Sequence, residues 1–480
     1  MENKINETYL YLIWALISGD RMPIEEVMRY IATNEIKWID LQFFDIDGVL
    51  HKTTVSNKEL EEGIFTKGIA AANLKEVFGT DDQGETILRP DPDTMARLPW
   101  EPSSVRLLSD VMTAISNEHY LKDSRYVIER VETNLEAVGV KNARVGAEFE
   151  FYIFDAATVD RATSERGTGT LLESREAFWS QNVLAATKGT KGAYSAQPYD
   201  TLYPARTQLS ETLEENFGFA VDGHRHGRGQ AGQQSIDLHE YSPKTAADAF
   251  STVKFVLRNL VNAVNAATTF MPYAIEGEKG SMMNISTSLW KAADNNVFYD
   301  ANDSYAQLSQ TGRYFVGGLL EHAAALMLFT APISNSYKKL AADPKVLGWS
   351  KDNSKAIVQV PQMKKNNKES KRVVFTGADP SINPYLAYAA VLAAGLDGIK
   401  SKNDPGDPVE EGKEETKKRK WAELPTTLYE SIEALGNDPK FIKGVISSEL
   451  LDAYIDKKLL DHRESLKSVS AWETKKYFNV

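Results

Sequence analysis

Glu148 and Glu150 stand two residues apart in GAEFEF, within RVGAEFEFYIF (144–154), whose alternation of apolar and polar types predicts a half-buried strand. Period-two geometry puts both carboxylates, with Tyr152, on one face. Such a pair can hold a hard divalent cation or exchange protons with a substrate. A second group is HRHGRGQAGQQSID (224–237), where His224 and His226 are interleaved with Arg225 and followed by Arg228. Two histidines at that spacing could recruit a metal, but satisfied or solvated imidazoles are the preferred reading. Glu276 and Glu278 in IEGEKG could add carboxylates, against the plainer reading of a solvated acidic loop. Lys364, Lys365, Lys368, Lys371 and Arg372 form a basic run that would suit an anion, and an ordinary charged loop accounts for it.

The elements that must position these groups are legible in outline. PIEEVMRYIATN (23–34) opens on Pro with early Glu, a helix start. KWIDLQFFDIDGVLHKTTV (37–55) sets two apolar runs around Asp-Ile-Asp-Gly and predicts a β-hairpin. A short strand is expected at 105–108, helices at 121–139, 204–217, 244–269 and 316–328, and a long irregular excursion over 156–199. PYLAYAAVLAAGLDGI (384–399) is almost continuously apolar and too short to span a bilayer, so it predicts a buried core helix. Residues 400–423, including the mixed-charge run 412–420, read as a solvated loop, and 425–478 as amphipathic helices. Strands and helices do not alternate cleanly, which favours an α+β class.

Composition narrows the chemistry. The chain has 480 residues, 42% hydrophobic and 25% charged, enough for a large core and too apolar for a disordered class. Its formal net charge of -12 repels a phosphate backbone, so no nucleic acid is expected as a partner. With no cysteine, thiolate metal sites, disulfides and cysteine nucleophiles are excluded, and a cytoplasmic location fits. Tyr9–Ile17 is apolar but far short of the roughly 20 residues of a membrane span. Acidic flanks argue against a signal peptide, leaving an N-terminal helix (1–20) that packs on the body or on a neighbouring subunit, and no membrane partner.

Taken in order, WIDLQFFDIDG (38–48), LRPDPDT (88–94), GAEFEF (146–151), HRHGRGQAGQQSID (224–237), FMPYAIEGEKGSMMNISTSLW (270–290), NSYKKL (335–340), NPYLAYAAVLAAGLDGI (383–399) and LPTTLYESIEAL (424–435) resemble the landmarks of type I glutamine synthetase across nearly the whole chain. The resemblance implies an N-terminal β-grasp domain (21–104) and a large catalytic-type domain (105–480) with a curved antiparallel sheet. It also implies a homo-oligomer of stacked hexameric rings, a dodecamer, in which a small domain completes the neighbour's site. The implied reaction joins glutamate and ammonia through an acyl phosphate, using ATP and Mg²⁺ or Mn²⁺.

Carried over position by position, that chemistry looks depleted. Glu148 and Glu150 match metal ligands and read as remnants. Gly227, Ser235, Asn284 and Val374 stand where other ligands are expected, with Ser286 at a second His position. Lys339, Ser354, Gln359 and Thr376 replace arginines that would grip carboxylate or phosphoryl oxygens. Lys345 falls near the flap glutamate, and Lys279 replaces an Asn. Asp45 and Lys339 are the matching catalytic positions. Gly232 and Gln233 fall on the substrate and nucleotide side, within a neutral polar lining that includes Gln230 and Gln234. Losing one ligand or donor costs about 10²–10³ in rate. The expectation is therefore a catalytically degenerate protein with no cofactor, serving a structural or regulatory role in a ring, with an active glutamine synthetase paralogue as a partner. The alternative is a divergent ATP-dependent glutamate–ammonia or carboxylate–amine ligase, with Mg²⁺ or Mn²⁺ and ATP, whose site is rebuilt around His224, His226, Glu276 or Glu278.

Overall fold

The computed structural model describes residues 22–70, 74–78, 85–160, 169–180, 192–362, 367–410 and 423–478. The expected helix over 1–20, Lys364, Lys365 and the run 412–420 lie outside them. The expected α+β architecture is what the chain forms: a small sheet, a large sheet, and helices packed behind it.

The hairpin predicted over 37–55 consists of β1 (Trp38–Phe44) and β2 (Leu50–Ser56), in register from Trp38 opposite Ser56 to Phe44 opposite Leu50. Its turn is closed by Asp45, whose Oδ1 accepts from the backbone N–H groups of Asp47 and Val49, both at 2.9 Å. Gly48 sits at φ +78, and a Cβ there would meet the Cα of Asn383 at 2.9 Å. Only glycine lets the turn approach so closely, and the Asn383 side chain donates to the Ile46 carbonyl at 3.0 Å. The small sheet adds β3 (Ile69–Ala70), β4 (Thr86–Pro90), β5 (Ala96–Arg97) and β6 (Ser104–Thr113) in the order β2-β1-β6-β4-β3, with β5 also on β6. The strand expected at 105–108 is thus longer, because both its faces are buried. It straddles the expected domain boundary.

The large sheet has the order β10-β11-β7-β13-β17-β16-β15, with β12 and β14 pairing β7 and β13. Its members are β7 (Asn142–Phe154), β10 (Val221–His226), β11 (Gln233–Leu238), β12 (Ala267–Thr269), β13 (Met283–Ala292), β14 (Asn295–Asn296), β15 (Val346–Ser350), β16 (Ala356–Gln359) and β17 (Val373–Ala378). All pairings are antiparallel except β15 with β16. A separate hairpin, β8 (Ala156–Asp160) with β9 (Gly169–Glu173), lies within the stretch expected to be irregular.

Ala147, Phe149 and Phe151 of β7 point to the core, where Phe149 meets Phe250 edge-on at 4.7 Å between centroids. Burying such a ring stabilises the fold by about 2–3 kcal/mol. The helix expected at 384–399 runs from Pro384 to Ser401, capped by Asn383 and buried along almost its whole length. The segment expected as one helix over 316–328 divides into Gln310–Glu321 and Ala323–Thr330, broken at His322. That imidazole bonds Asp397 and Asp438 in place of continuing a single helix. The helix expected to reach residue 269 ends at Ala263, and its last apolar residues become β12. Helix Ser124–Glu132 is shorter than expected and is followed by a 3₁₀ turn at Glu136–Val138. No helix among the described residues is long and apolar enough to cross a membrane.

Candidate active site

Register decides which side chains share the face of the large sheet opposite Phe149 and Phe151. Glu148 lies opposite Asp237 on β11 and Asn284 on β13, while Glu150 lies opposite Ser235. Ser235 in turn faces Arg225 on β10, and Ser286 faces Val374 on β17. Directly opposed residues point the same way, so Arg225, Ser235, Asp237, Glu148, Glu150, Asn284, Ser286 and Val374 form one surface. Among the sequence-predicted positions, Glu148, Glu150, Ser235, Asn284 and Val374 are therefore brought together, with Gln233 one step along β11.

Both carboxylates are engaged by nitrogen donors. Glu148 pairs with Arg225 through Oε1 and accepts from Asn284 Nδ2 at 3.1 Å through Oε2. Glu150, 1% exposed, accepts from Arg228 Nε at 3.2 Å and Nη2 at 3.3 Å, from the Met282 N–H at 3.1 Å and from Gln233 Nε2 at 3.4 Å. Arg228 continues to Asp343 at 3.2 Å and to the Gly280 carbonyl. Burial works against the Arg228 charge, but the Glu150 and Asp343 pairs outweigh it and raise its pKa. Burial would raise Asp343, but the charge and hydrogen bond of Arg228, with Lys345 and Lys279 nearby, together outweigh it and lower its pKa. Arg225 is lowered by burial and by Arg228, with Asp237 opposing.

The other expected residues are dispersed. Gly227 follows β10, and its N–H donates to the Gln233 carbonyl. A Cβ at Gly232 would lie 2.4 Å from the Ile153 carbonyl, so that backbone packs directly on β7. Lys339 is buried and donates to the Ala378 carbonyl at 2.9 Å, its pKa lowered by burial against the pull of Asp379. The Ser354 carbonyl accepts from both Gln359 Nε2 and Lys345 Nζ, each at 3.1 Å. Burial and the Lys339 charge bring Lys345 down to about 8. Thr376 spends its hydroxyl on the Ala356 carbonyl at 3.0 Å. Asp45 serves its own turn and sits 3.4 Å from His51.

The histidines do not join the carboxylates. His224 and His226 lie opposite Ile236 and Gln234, hence on the reverse face from Arg225. His226 is buried against Glu176 at 2.9 Å, and His224 accepts from Arg206 Nε at 3.3 Å. Glu278 accepts from the Gln230 N–H at 3.0 Å. Sequence reasoning missed Arg225 and Arg228 as the partners of the two glutamates. For Arg225 its alternation with the histidines was the available signal, since it puts the two types on opposite faces; Arg228, beyond the end of β10, offered none. Glu240 was missed as well; it gathers Ser286, Ser288 and Arg372 at 3.2 to 3.4 Å.

This donor set does not fit the divalent cations that the resemblance implies. A metal needs lone pairs aimed at a common point. Here the lone pairs of Glu148 and Glu150 are aimed at N–H groups, Asn284 presents its amide donor, and the Ser235 hydroxyl is buried without a partner among the described residues. Unit charges 4 Å apart interact by about 4 kcal/mol at an effective dielectric of 20, so the repulsion of a cation by either guanidinium largely cancels the attraction of the glutamate paired with it. Among the described residues no group of three or more His, Asp or Glu could hold a metal ion. A cavity of about 810 Å³ lies elsewhere, lined by Asp91, Arg106, Arg125, Glu132, Lys244 and Asp248, and none of the expected site residues borders it.

Comparison with known proteins gives a consistent answer. Residues 35–114 match the model described as glutamine synthetase, beta-Grasp domain, and residues 121–477 match glutamine synthetase, catalytic domain. A glutamine synthetase of Sulfolobus acidocaldarius is 38% identical over 443 residues, covering 90% of this chain and 93% of that protein. Those of Frankia alni and Vibrio cholerae are 32% and 30% identical, covering 92% and 96% of this chain and 96% and 100% of theirs. A solved Plasmodium falciparum glutamine synthetase, 22% identical, shares the fold with a TM-score of 0.83 over 95% of this chain and 99% of that one. These relatives overturn the expectation of a catalytically degenerate, merely structural or regulatory protein: similarity on this scale to named enzymes supports an enzymatic function. The physical error lay in counting only the charges lost. Arg225 and Arg228 return positive charge to the same face.

Proposed function

Because the chain belongs to the glutamine synthetase family, we propose that it is an ATP-dependent carbon–nitrogen ligase that joins a carboxylate to an amine at the Glu148–Glu150 face. The observation that carries this reading is the 38% identity to a named glutamine synthetase across 90% of the chain. In such a ligation a substrate carboxylate oxygen attacks the γ-phosphorus of ATP and ADP leaves. The amine nitrogen then attacks the acyl phosphate carbon, expels phosphate and gives up a proton. The residues of this chain bind and orient. Arg225 and Arg228 present positive charge, Gln233 and Asn284 fix the glutamates, and Lys339 and Lys345 hold backbone carbonyls at the neighbouring edge.

The reading includes a ring-shaped homo-oligomer in the cytoplasm. The test is an assay with ATP, L-glutamate and a panel of primary amines beside ammonia, following ADP release and identifying the amide by mass spectrometry. Amine-dependent ADP release with a matching amide is expected. Absence of both across the panel and across alternative carboxylic acids would overturn the reading.

A further inference from the structure

The two glutamates that the family correspondence assigns to metals each carry an arginine of this chain. We propose that Arg225 and Arg228 are built-in cations of the site, and that Arg225 receives the anionic oxygen of the substrate, carboxylate or phosphoryl, with no divalent ion held by protein side chains. This deepens the ligase reading and rests on it.

The two guanidiniums are placed differently. Arg228 has four of its five N–H groups engaged, Nε and Nη2 on Glu150, Nη1 on Asp343 and Nη2 also on the Gly280 carbonyl. It is a positioning charge. Arg225 meets Glu148 through Nη2 and lies over the Tyr194 ring at 5.5 Å. Its side chain is 31% exposed, about as much as that of Arg228 at 32%, so what sets the two apart is how many of their N–H groups are engaged. A guanidinium whose fork is half occupied by a carboxylate keeps donors for a second anion, and its fixed planar geometry suits two oxygens at once. Around the pair, Asp237 and Asp343 face Arg225 and Arg228, and Asp379 faces Lys339. What turns a divalent ion away is therefore not net charge but occupancy: the oxygens of Glu148 and Glu150 that would bind it are taken by N–H donors.

Two equilibrium measurements on the full chain test this. In the first, Mn²⁺ is titrated into nucleotide-free protein and followed by electron paramagnetic resonance; no saturable binding at protein-stoichiometric levels is expected. In the second, inorganic phosphate is titrated calorimetrically in EDTA and again in Mg²⁺. The affinity should be the same in both, weaken about tenfold in Arg225→Gln, and weaken less in Arg225→Lys, which keeps the charge but not the fork. Saturable Mn²⁺ binding by the free protein, phosphate binding that requires Mg²⁺, no phosphate binding at all, or an unchanged affinity in Arg225→Gln would each overturn the proposal. Should Arg225→Gln fail to melt cooperatively, Arg225→Lys decides, since wild-type affinity in that variant is also fatal. Neither measurement uses turnover, so a failed ligase assay leaves both readable.

Discussion

Arg228 lies along the edge of the Glu150 carboxylate, Nε 3.2 Å from one oxygen and Nη2 3.3 Å from the other, while Glu150 itself is 1% exposed. This side-on pair joins the segment after β10 to the centre of β7. It makes the middle of the site a piece of the protein's own electrostatics.

Breaking that pair from one side should be costly. Arg228→Met leaves a buried carboxylate without its cation, and a loss of about 3 kcal/mol is expected. The double variant Arg228→Met with Glu150→Met should recover at least half of it, since an apolar pair carries no desolvation penalty. Urea denaturation of the four proteins of that cycle checks both expectations.

The imidazole of His322 gives a pH signature. Burial would lower its pKa, but hydrogen bonds to Asp397 and Asp438 outweigh burial and raise it to about 9. A raised folded-state value means the stabilisation is complete below about 6.5, the unfolded value, and fades as pH climbs through about 9. Relative to His322→Gln, the wild-type melting temperature should therefore fall across that interval. Parallel pH–melting curves would contradict the assignment.

Glu132 is also raised, but here it is the neutral form that the fold favours. Burial, with Glu129 nearby, raises its pKa to about 7 despite Lys244. Folding is then penalised above that pH, where the carboxyl must ionise in place, and not below about 4.5. Glu132→Gln should raise the melting temperature at pH 8 and leave it unchanged at pH 4. Calorimetric scans at the two pH values suffice.

The Arg125 cluster ties the small domain to the large one. Its guanidinium reaches Asp110 at 2.6 Å, Asp91 at 2.7 Å and Asp248 at 2.9 Å, all with little solvent. Burial alone would raise Asp91 and Asp110, but the neighbouring cations hold both below the ordinary carboxylate range. Their contribution is present above pH ~4 and is lost on further acidification. Arg125→Met should cost about 3–5 kcal/mol at pH 7 and flatten the acid limb of the stability profile.

Close packing supplies a test free of charge. A Cβ on Gly398 would sit 2.3 Å from the Tyr314 carbonyl, where helices Gln310–Glu321 and Pro384–Ser401 cross. Gly398→Ala should destabilise by about 1–3 kcal/mol, whereas Gly436→Ala, with open space around it, should stabilise slightly or do nothing.

Much of this was legible from local pattern. Alternation in 144–154 identified β7 and put Glu148 and Glu150 on one face. The run 384–399 declared a buried helix, and Asp-Ile-Asp-Gly marked the hairpin turn. The helix break at His322 and the end of the helix at Ala263 were not legible, because both depend on partners distant in sequence: Asp397 and Asp438 for the first, β7 for the second.

Once 221–226 is a strand, His224 and His226 must face away from Arg225, since side-chain direction is a property of the backbone at each residue. Which of the two sets meets the glutamates was decided only when β10 paired with β11, and β11 with β7. Strand register is set by contacts between segments far apart in the chain, and a one-residue slip exchanges the faces. That pairing brought the arginines to the carboxylates and sent the imidazoles to Glu176 and Arg206.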